Sequence, residues 1–204
     1  MTRHERTLRA LTGVLAVLIT LVLGRPFHAA SQSADLVSQG RAALEADRVD
    51  EAIALFERAV AADARNPAAL TWLGNARVRK APTVPVMERA GWVNRGFDTL
   101  DEAVERFPEA WIVYMVRGLT AVNLPAMFNK TKVAVDDLTR VAAMKDRAPG
   151  AVPDAVMGAV FLNLGRAERN GGDRDRARAT WERGRRLYPA APEAAAIERE
   201  LKAL

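Results

Sequence analysis

One spacing recurs in two distant parts of this chain of 204 residues and restricts its fold more than any other feature. From Gly40, residues at offsets of 12, 16 and 19 are Ala52, Phe56 and Ala59. From Gly165 the same offsets hold Ala177, Trp181 and Gly184, and Pro189 stands at offset 24. Such a pattern describes two antiparallel helices joined by a short polar turn. A glycine midway along the first helix costs about 1 kcal/mol of helix propensity, but the missing Cβ lets the second helix come close. The small residue at offset 12 fills that contact. The large residue one helical turn later is expected between neighbouring units, and the next small residue keeps that face shallow. Asp50 and Asp173 fall at the inter-helix turns, where a carboxylate caps a helix start, and Pro189 ends the second helix.

Further residues keep the same measure. Gly40 and Gly74 are 34 residues apart, Leu73-Gly74 and Leu164-Gly165 are leucine–glycine pairs, and Tyr114 precedes Gly118 by four positions. This pattern resembles the tetratricopeptide repeat, whose period is about 34 residues. The resemblance covers almost everything after residue 31. It implies an all-α, right-handed superhelical solenoid of about four helix pairs in a repeat domain of 32–204, with repeats near 33–66, 67–110, 111–147 and 158–191.

The middle of the array departs from the pattern. Measured back from Pro108, the second helix of repeat two reads Gly96, Leu100 and Ala103, ten residues later than the regular spacing places it. The ten added residues fall within the stretch APTVPVMERAGW, which contains Pro82 and Pro85, and these forbid a regular helix through it. It reads either as a rigid loop folded into the groove or as a longer connection whose Trp92 packs on repeat two. In repeat three the segment LPAMFNK lengthens the turn by four residues, so that Ala134, Leu138 and Val141 hold the ruler positions. Met127 and Phe128 read there as local packing. Nine residues within DRAPGAVPDAV separate repeats three and four. Residues 192–204 read as a capping helix with Pro192 in its first turn and Ile197, Leu201 and Leu204 on one stripe.

The start of the chain has a different character. Arg3, Arg6 and Arg9 stand against Glu5, an uncharged and mostly apolar run follows from Ala10 to Gly24, and Arg25-Pro26 breaks it. Basic, apolar and small-residue segments in that order are those of a secretory signal. Residues 1–31 therefore read as a signal peptide cut after Ala30 or Ser31, or as an uncleaved inner-membrane anchor through residues 10–24. With the arginines held inside, both readings place the rest outside the cytoplasm, in the periplasm or envelope of a bacterial cell.

Composition then excludes several chemistries. The chain has no cysteine and two histidines, His4 and His28, both in this leader. The rest of the chain thus has no thiol nucleophile, disulfide, Ser-His pair, or zinc site built on His or Cys. Asp101-Glu102 and Asp136-Asp137 are adjacent residues that diverge by about 100° on a helix, so neither is a catalytic dyad by itself. No phosphate loop, nucleophile elbow or metal-ligand spacing occurs, and no enzyme activity, cofactor or metal is expected. Residues 1–31 carry four Arg and one Glu, leaving 26 basic and 24 acidic side chains, a net charge of +2. So balanced a domain has no strong field for nucleic acid. The basic run Arg174, Arg176, Arg178, Arg183, Arg185 and Arg186 is interleaved with Asp173, Asp175 and Glu182. It reads as a solvated helix face, with an acidic partner or lipid headgroup as the alternative.

The resemblance also implies a site. First-helix positions that face the concave groove of the family transfer to Arg41 and Glu45, Asn75 and Arg79, Leu119 and Asn123, and Arg166 and Asn170. Peptide recognition is the use such a groove implies, and some relatives clamp a peptide carboxylate with lysine, asparagine and arginine. Asn75, Arg79, Arg166 and Asn170 suit that chemistry, although the order and the lysines differ, and the same residues also read as ordinary solvated positions. The expected function is an exported or membrane-tethered scaffold or adaptor that binds a protein or peptide partner. The alternative is a small-ligand-binding component of an envelope transport system, which requires a closed pocket under the two inserts.

Overall fold

The structure, a computed structural model, describes residues 29–204. The basic and apolar part of the expected leader lies outside the described residues. Residues 29–31, assigned above to the leader, are helical and continue into α1 (residues 29–45). There follow α2 (Val49–Ala62), α3 (Pro67–Lys80), α4 (Val86–Arg106), α5 (Trp111–Val122), α6 (Thr131–Arg147), α7 (Met157–Asn170), α8 (Arg174–Leu187) and α9 (Ala194–Lys202). Among the described residues there is no strand, and no helix is long and apolar enough to cross a membrane.

The helices pack in consecutive antiparallel pairs, α1 with α2, α3 with α4, α5 with α6 and α7 with α8. Neighbouring pairs stack through α2 on α3 and α6 on α7, while α3, α5 and α7 form a row of first helices. The result is the expected right-handed all-α solenoid of four pairs with a terminal cap.

Each pair is built on the glycine contact, but in a different way from the sequence expectation. The large residue does more than fill the space between repeats: it lies directly on the glycine of its own repeat. A Cβ on Gly40 would stand 2.5 Å from Phe56, one on Gly118 2.8 Å from Leu138, and one on Gly165 2.4 Å from Trp181. In repeat two both helices contribute a glycine. A Cβ on Gly74 would meet Leu100 at 2.7 Å, and one on Gly96 would meet Val78 at 2.4 Å. Phe56, Leu100, Leu138 and Trp181 are fully buried as a result. The buried Trp181 donates its indole N–H to the Leu162 carbonyl at 2.9 Å, so its polar atom is satisfied.

Several local expectations are corrected. Asp173 caps α8 by accepting from the Arg176 amide, but Asp50 lies inside α2 and pairs with Lys80 at 2.7 Å. The uncapped start of α2 has a counterpart in Asn66, whose side chain accepts from the Ala68 and Ala69 amides and starts α3. The proline-rich insert breaks the helix only over residues 81–85, as a short turn at Ala81–Thr83 followed by Pro85. Its remainder winds into α4, which at 21 residues is half as long again as the 14 of α2 or α8. Helix propensity resumes after Pro85 because a proline just before a helix costs no hydrogen bond. Pro192 likewise lies ahead of α9, whose first residue is Ala194.

Ion pairs between helices reinforce the packing. The half-buried Arg117 of α5 donates to both oxygens of the buried Asp137 on α6, at 2.7 and 2.8 Å, and to Asp101 of α4 at 2.6 Å. Burial lowers the pKa of Arg117, but hydrogen bonds and charges from Asp137 and Asp101 outweigh that and raise it. The two acidic pairs thus contribute one residue each to a bridge between three helices. The basic run of α8 is equally engaged: Arg183 bonds Asp146, Arg185 bonds Glu198, and Arg176 faces Glu168 at 3.4 Å. The face is largely exposed, as expected of a solvated helix face, and it also carries ties to α6, α7 and α9.

The cap is held by both apolar and ionic contacts. Ile197 is fully buried against Leu162, Ala177 and Trp181, with Leu201 and Leu204 packed around them. Glu200 accepts from Arg166 at 2.6 Å and also from Arg169. Burial pushes the Glu200 carboxyl up, but these two guanidinium groups outweigh it and hold it below its ordinary value.

Two outcomes follow. Gly165→Ala should lower the urea midpoint, because displacing Trp181 costs about 1–3 kcal/mol, more than the alanine gains in propensity. Gly91→Ala, where the nearest atom is a flexible arginine tip at 3.5 Å, should raise it by up to about 1 kcal/mol. Equal effects at the two sites would refute the glycine contact. For the cap, a carboxyl lowered in the folded state stabilises fully above its unfolded value, near 4.3, and loses that contribution as the pH falls through its folded value. Hydrogen exchange should show α9 losing protection as the pH falls below the ordinary carboxylate range, with Glu200→Gln abolishing the dependence.

Candidate functional site

The departures from the regular spacing converge in space. Between repeats two and three lies a groove of about 860 Å³. Trp72, Asn75, Val78 and Arg79 of α3 form one wall, and Leu119 and Thr120 of α5 form another. The first insert closes one side with Pro82, Val86, Arg89 and Ala90, next to Val93 of α4, and the second closes the other with Leu124, Pro125, Met127 and Phe128. Local chemistry explains how each part is held. Pro85 starts α4, so the early residues of that helix stand at the rim. Asn123 ends α5 and donates to the Leu119 carbonyl at 2.7 Å, and Pro125 turns the chain into the short helix Ala126–Phe128. Asn129 takes a left-handed conformation at φ 53°, which lets the chain turn back into α6.

A polar contact lies among the apolar residues of the groove. Asn75 donates to the Thr120 hydroxyl at 2.8 Å, and Thr120 donates to the Val116 carbonyl at 2.7 Å. This tie fixes α3 against α5, so Asn75 has a structural partner as well as a place in the groove. Arg79 reaches Asp47 of the first repeat's turn at 3.2 Å. Arg89 donates to the Val84 carbonyl at 3.2 Å and pairs with no carboxylate among the described residues. Arg41 lies over the ring of Trp72 at 5.1 Å, just beyond the groove wall. Among the described residues, no aspartate or glutamate lines the groove.

Of the residues transferred from the repeat pattern, Asn75, Arg79, Leu119 and Asn123 come together here, and Arg41 stacks on the groove's Trp72. Asn170 lies in a smaller recess of about 260 Å³, with Ala121, Thr131 and Ala167, on the other side of the second insert. Leu124 contributes to both recesses, so that insert partitions the row of first helices. Arg166 is bound to Glu200 of the cap, which leaves it outside any shared site with Asn75 and Arg79. Glu45 is exposed on α1 and lines neither recess.

The inserts supply residues that the spacing argument did not select. Val86 and Arg89 lie on the part of the first insert that is helical, and Val93 follows it on α4, although the two prolines predict no regular helix through the insert. Trp92 packs against the core with Arg95 over its ring at 4.3 Å, which matches the connection reading of the insert. Phe128 packs against the same core, whereas Met127 is exposed at the groove rim. The signal that marks the rim is a proline followed two residues on by a methionine, at Pro85-Val86-Met87 in one insert and Pro125-Ala126-Met127 in the other.

The groove is open to solvent at Val86 and Met127, so the closed pocket that a small-ligand component requires is not what the inserts build. A further hollow of about 580 Å³ lies at the turn between α7 and α8, lined by Gly171 to Asp175, Arg178 and Leu204. It is polar, and its Asp173 is already engaged as a helix cap. Among the described residues, no group of three or more His, Cys, Asp or Glu is placed to hold a metal ion.

Models of the tetratricopeptide repeat match residues 37–80 and 159–191. No curated protein matches the chain. Among solved structures, MamA of MSR-1 is similar with a TM-score of 0.51 and 24% identity, over 83% of this chain and 87% of that one. A thermophilic tetratricopeptide-repeat protein of Thermus thermophilus gives 0.50 and 17%, over 84% and 100% respectively. MamA of AMB-1 gives 0.50 and 24%, over 83% and 82%. At these identities the likeness is one of fold. The repeat models cover the first pair with the start of the second and the last pair, and the inserts lie between them. The chain thus carries tetratricopeptide repeats, and its described residues fold as the all-α solenoid of that repeat.

Proposed function

We propose that this chain is an adaptor of the bacterial cell envelope that binds a segment of a partner protein in the groove between its two inserts. Tetratricopeptide-repeat folds serve protein–protein interaction, and shape and polar complementarity are sufficient for that role without catalysis. The observation that carries this reading is the convergence of both inserts on the one groove that also holds Asn75, Arg79, Leu119 and Asn123. Long ordered connections are also where binding residues concentrate. The envelope location rests on the order of charged and apolar residues in the leader, which serves either as a cleaved signal or as an anchor through residues 10–24.

Crosslinked affinity capture of a C-terminally tagged chain from its native envelope tests both parts. Arg79→Glu with Met127→Asp should lose the partner, while Arg178→Glu with Arg186→Glu, on an exposed part of α8, should retain it. Loss in the second variant alone, or retention in both, would move the interface away from the groove. Fractionation with N-terminal sequencing should find the chain in the envelope, starting near residue 31 or 32 or at its first residues. Recovery from the cytoplasm would refute the location.

A further inference from the structure

The rim of the groove carries the three most exposed of the large apolar side chains among the described residues. Met87 is 93% exposed, Met127 84% and Val86 71%. Scattered surface hydrophobics are ordinary, but these three stand on the two inserts that face each other across one recess. Both inserts present them in the same way. Pro85 (φ −53°, ψ 148°) and Pro125 (φ −55°, ψ 145°) each precede a helical turn, with a methionine two residues on. Proline fixes φ, so each methionine projects from a rigid backbone while its own side chain stays adaptable.

Charge adds a second constraint. Arg79 and Arg89 line the groove, and among the described residues no carboxylate does. Arg89 pairs with no acid among the described residues, and the acid that Arg79 meets, Asp47, is an exposed side chain on a neighbouring turn. Exposed pairs of that kind contribute little, so a carboxylate arriving in the groove exchanges with Asp47 at little cost. Two guanidinium groups beside apolar walls favour an anion and oppose a cation.

Resting on the adaptor reading above, we propose that the occupant is a short segment of a partner protein that combines apolar side chains with a carboxylate. Its apolar side chains lie between Val86 and Met127, and its carboxylate meets Arg79 and Arg89. Met87 argues for a polypeptide over a free amphiphile of the same chemistry. It stands next to the groove without lining it, so only a ligand that continues past the rim covers it. The inserts thereby become the specificity element of the solenoid, and the regular repeats their support.

The test is selection of a random dodecapeptide display library on the purified full-length chain, with counter-selection on Val86→Asp with Met127→Asp. The counter-selecting residues are exposed, so the variant keeps the wild-type helix content and melting temperature, which is checked first. Enriched peptides should combine Leu, Phe, Ile or Met with Asp or Glu. They should bind about tenfold more weakly to the counter-selecting variant and to Arg89→Glu. Replacing their acids by lysine should remove binding to the wild type and restore it to Arg89→Glu. Enrichment of basic or purely polar peptides, or no enrichment that depends on the rim, would overturn the proposal. So would displacement of the peptides by dodecanoate, uptake of the chain by anionic phosphatidylglycerol vesicles through Met87, or rim-dependent self-association. A photo-crosslinker at Met127 in the native envelope separates the two levels. A captured partner segment without acid and apolar residues sinks this inference and leaves the adaptor, whereas no captured partner sinks the adaptor as well.

Discussion

Everything in this molecule depends on four places where a large side chain rests on a glycine across a helix pair. Phe56 on Gly40, Leu100 on Gly74, Leu138 on Gly118 and Trp181 on Gly165 set the separation of the helices. A repeat of this kind has no core of its own, since two helices cannot bury their apolar faces alone. The contact defines the shape of each pair, and stacking of pairs then buries what remains. The chain tolerates additions because they fall between the helices of a pair and leave the contacting residues in phase. Repeat two adds ten residues and repeat three adds four, yet Leu100 and Leu138 reach their glycines as Phe56 and Trp181 do.

That tolerance makes a site available at modest structural cost. An added residue between the helices lies at an end of the pair, beside the row of first helices, and two such additions in neighbouring repeats face each other. The groove between repeats two and three is the consequence. The neighbouring repeats lack the additions: α2 and α8 have 14 residues each and follow short turns. The protein therefore separates two tasks along its length. Its ends carry the regular pattern that family models match, and its middle carries the irregular surface.

Charged residues take a larger part in holding the solenoid than their scattered positions suggest. Arg117 joins three helices through Asp101 and Asp137, and Glu200 holds the cap against Arg166 and Arg169. Most surface ion pairs contribute little, but buried and bidentate ones fix geometry because separating them leaves a charge without water or partner. The same ties decide which arginines remain for recognition. Arg166 is engaged by the cap, and the guanidinium without an acidic partner at the groove is Arg89.

The helix pairs, their order and the terminal cap were legible in the residues because glycine, alanine and aromatic positions act through local spacing. A helix places residues by number alone, so offsets of 12, 16 and 19 report a contact that lies within one repeat. The sequence also exposed the two inserts as shifts in that spacing. It left undecided how the added residues fold. Pro82 and Pro85 end one helix, but only packing against α3 and the core shows that a new helix starts at Val86. Nor does spacing tell which charges meet, since Asp101 and Asp137 lie 36 positions apart and are brought to Arg117 by three separate helices. Of the residues expected in the groove, the middle four and the flanking Arg41 are brought to it, while Asn170 and Arg166 are separated from it by the second insert and the cap. The repeat was written locally and could be read. The site arises where distant segments come together, and only the tertiary structure decides that.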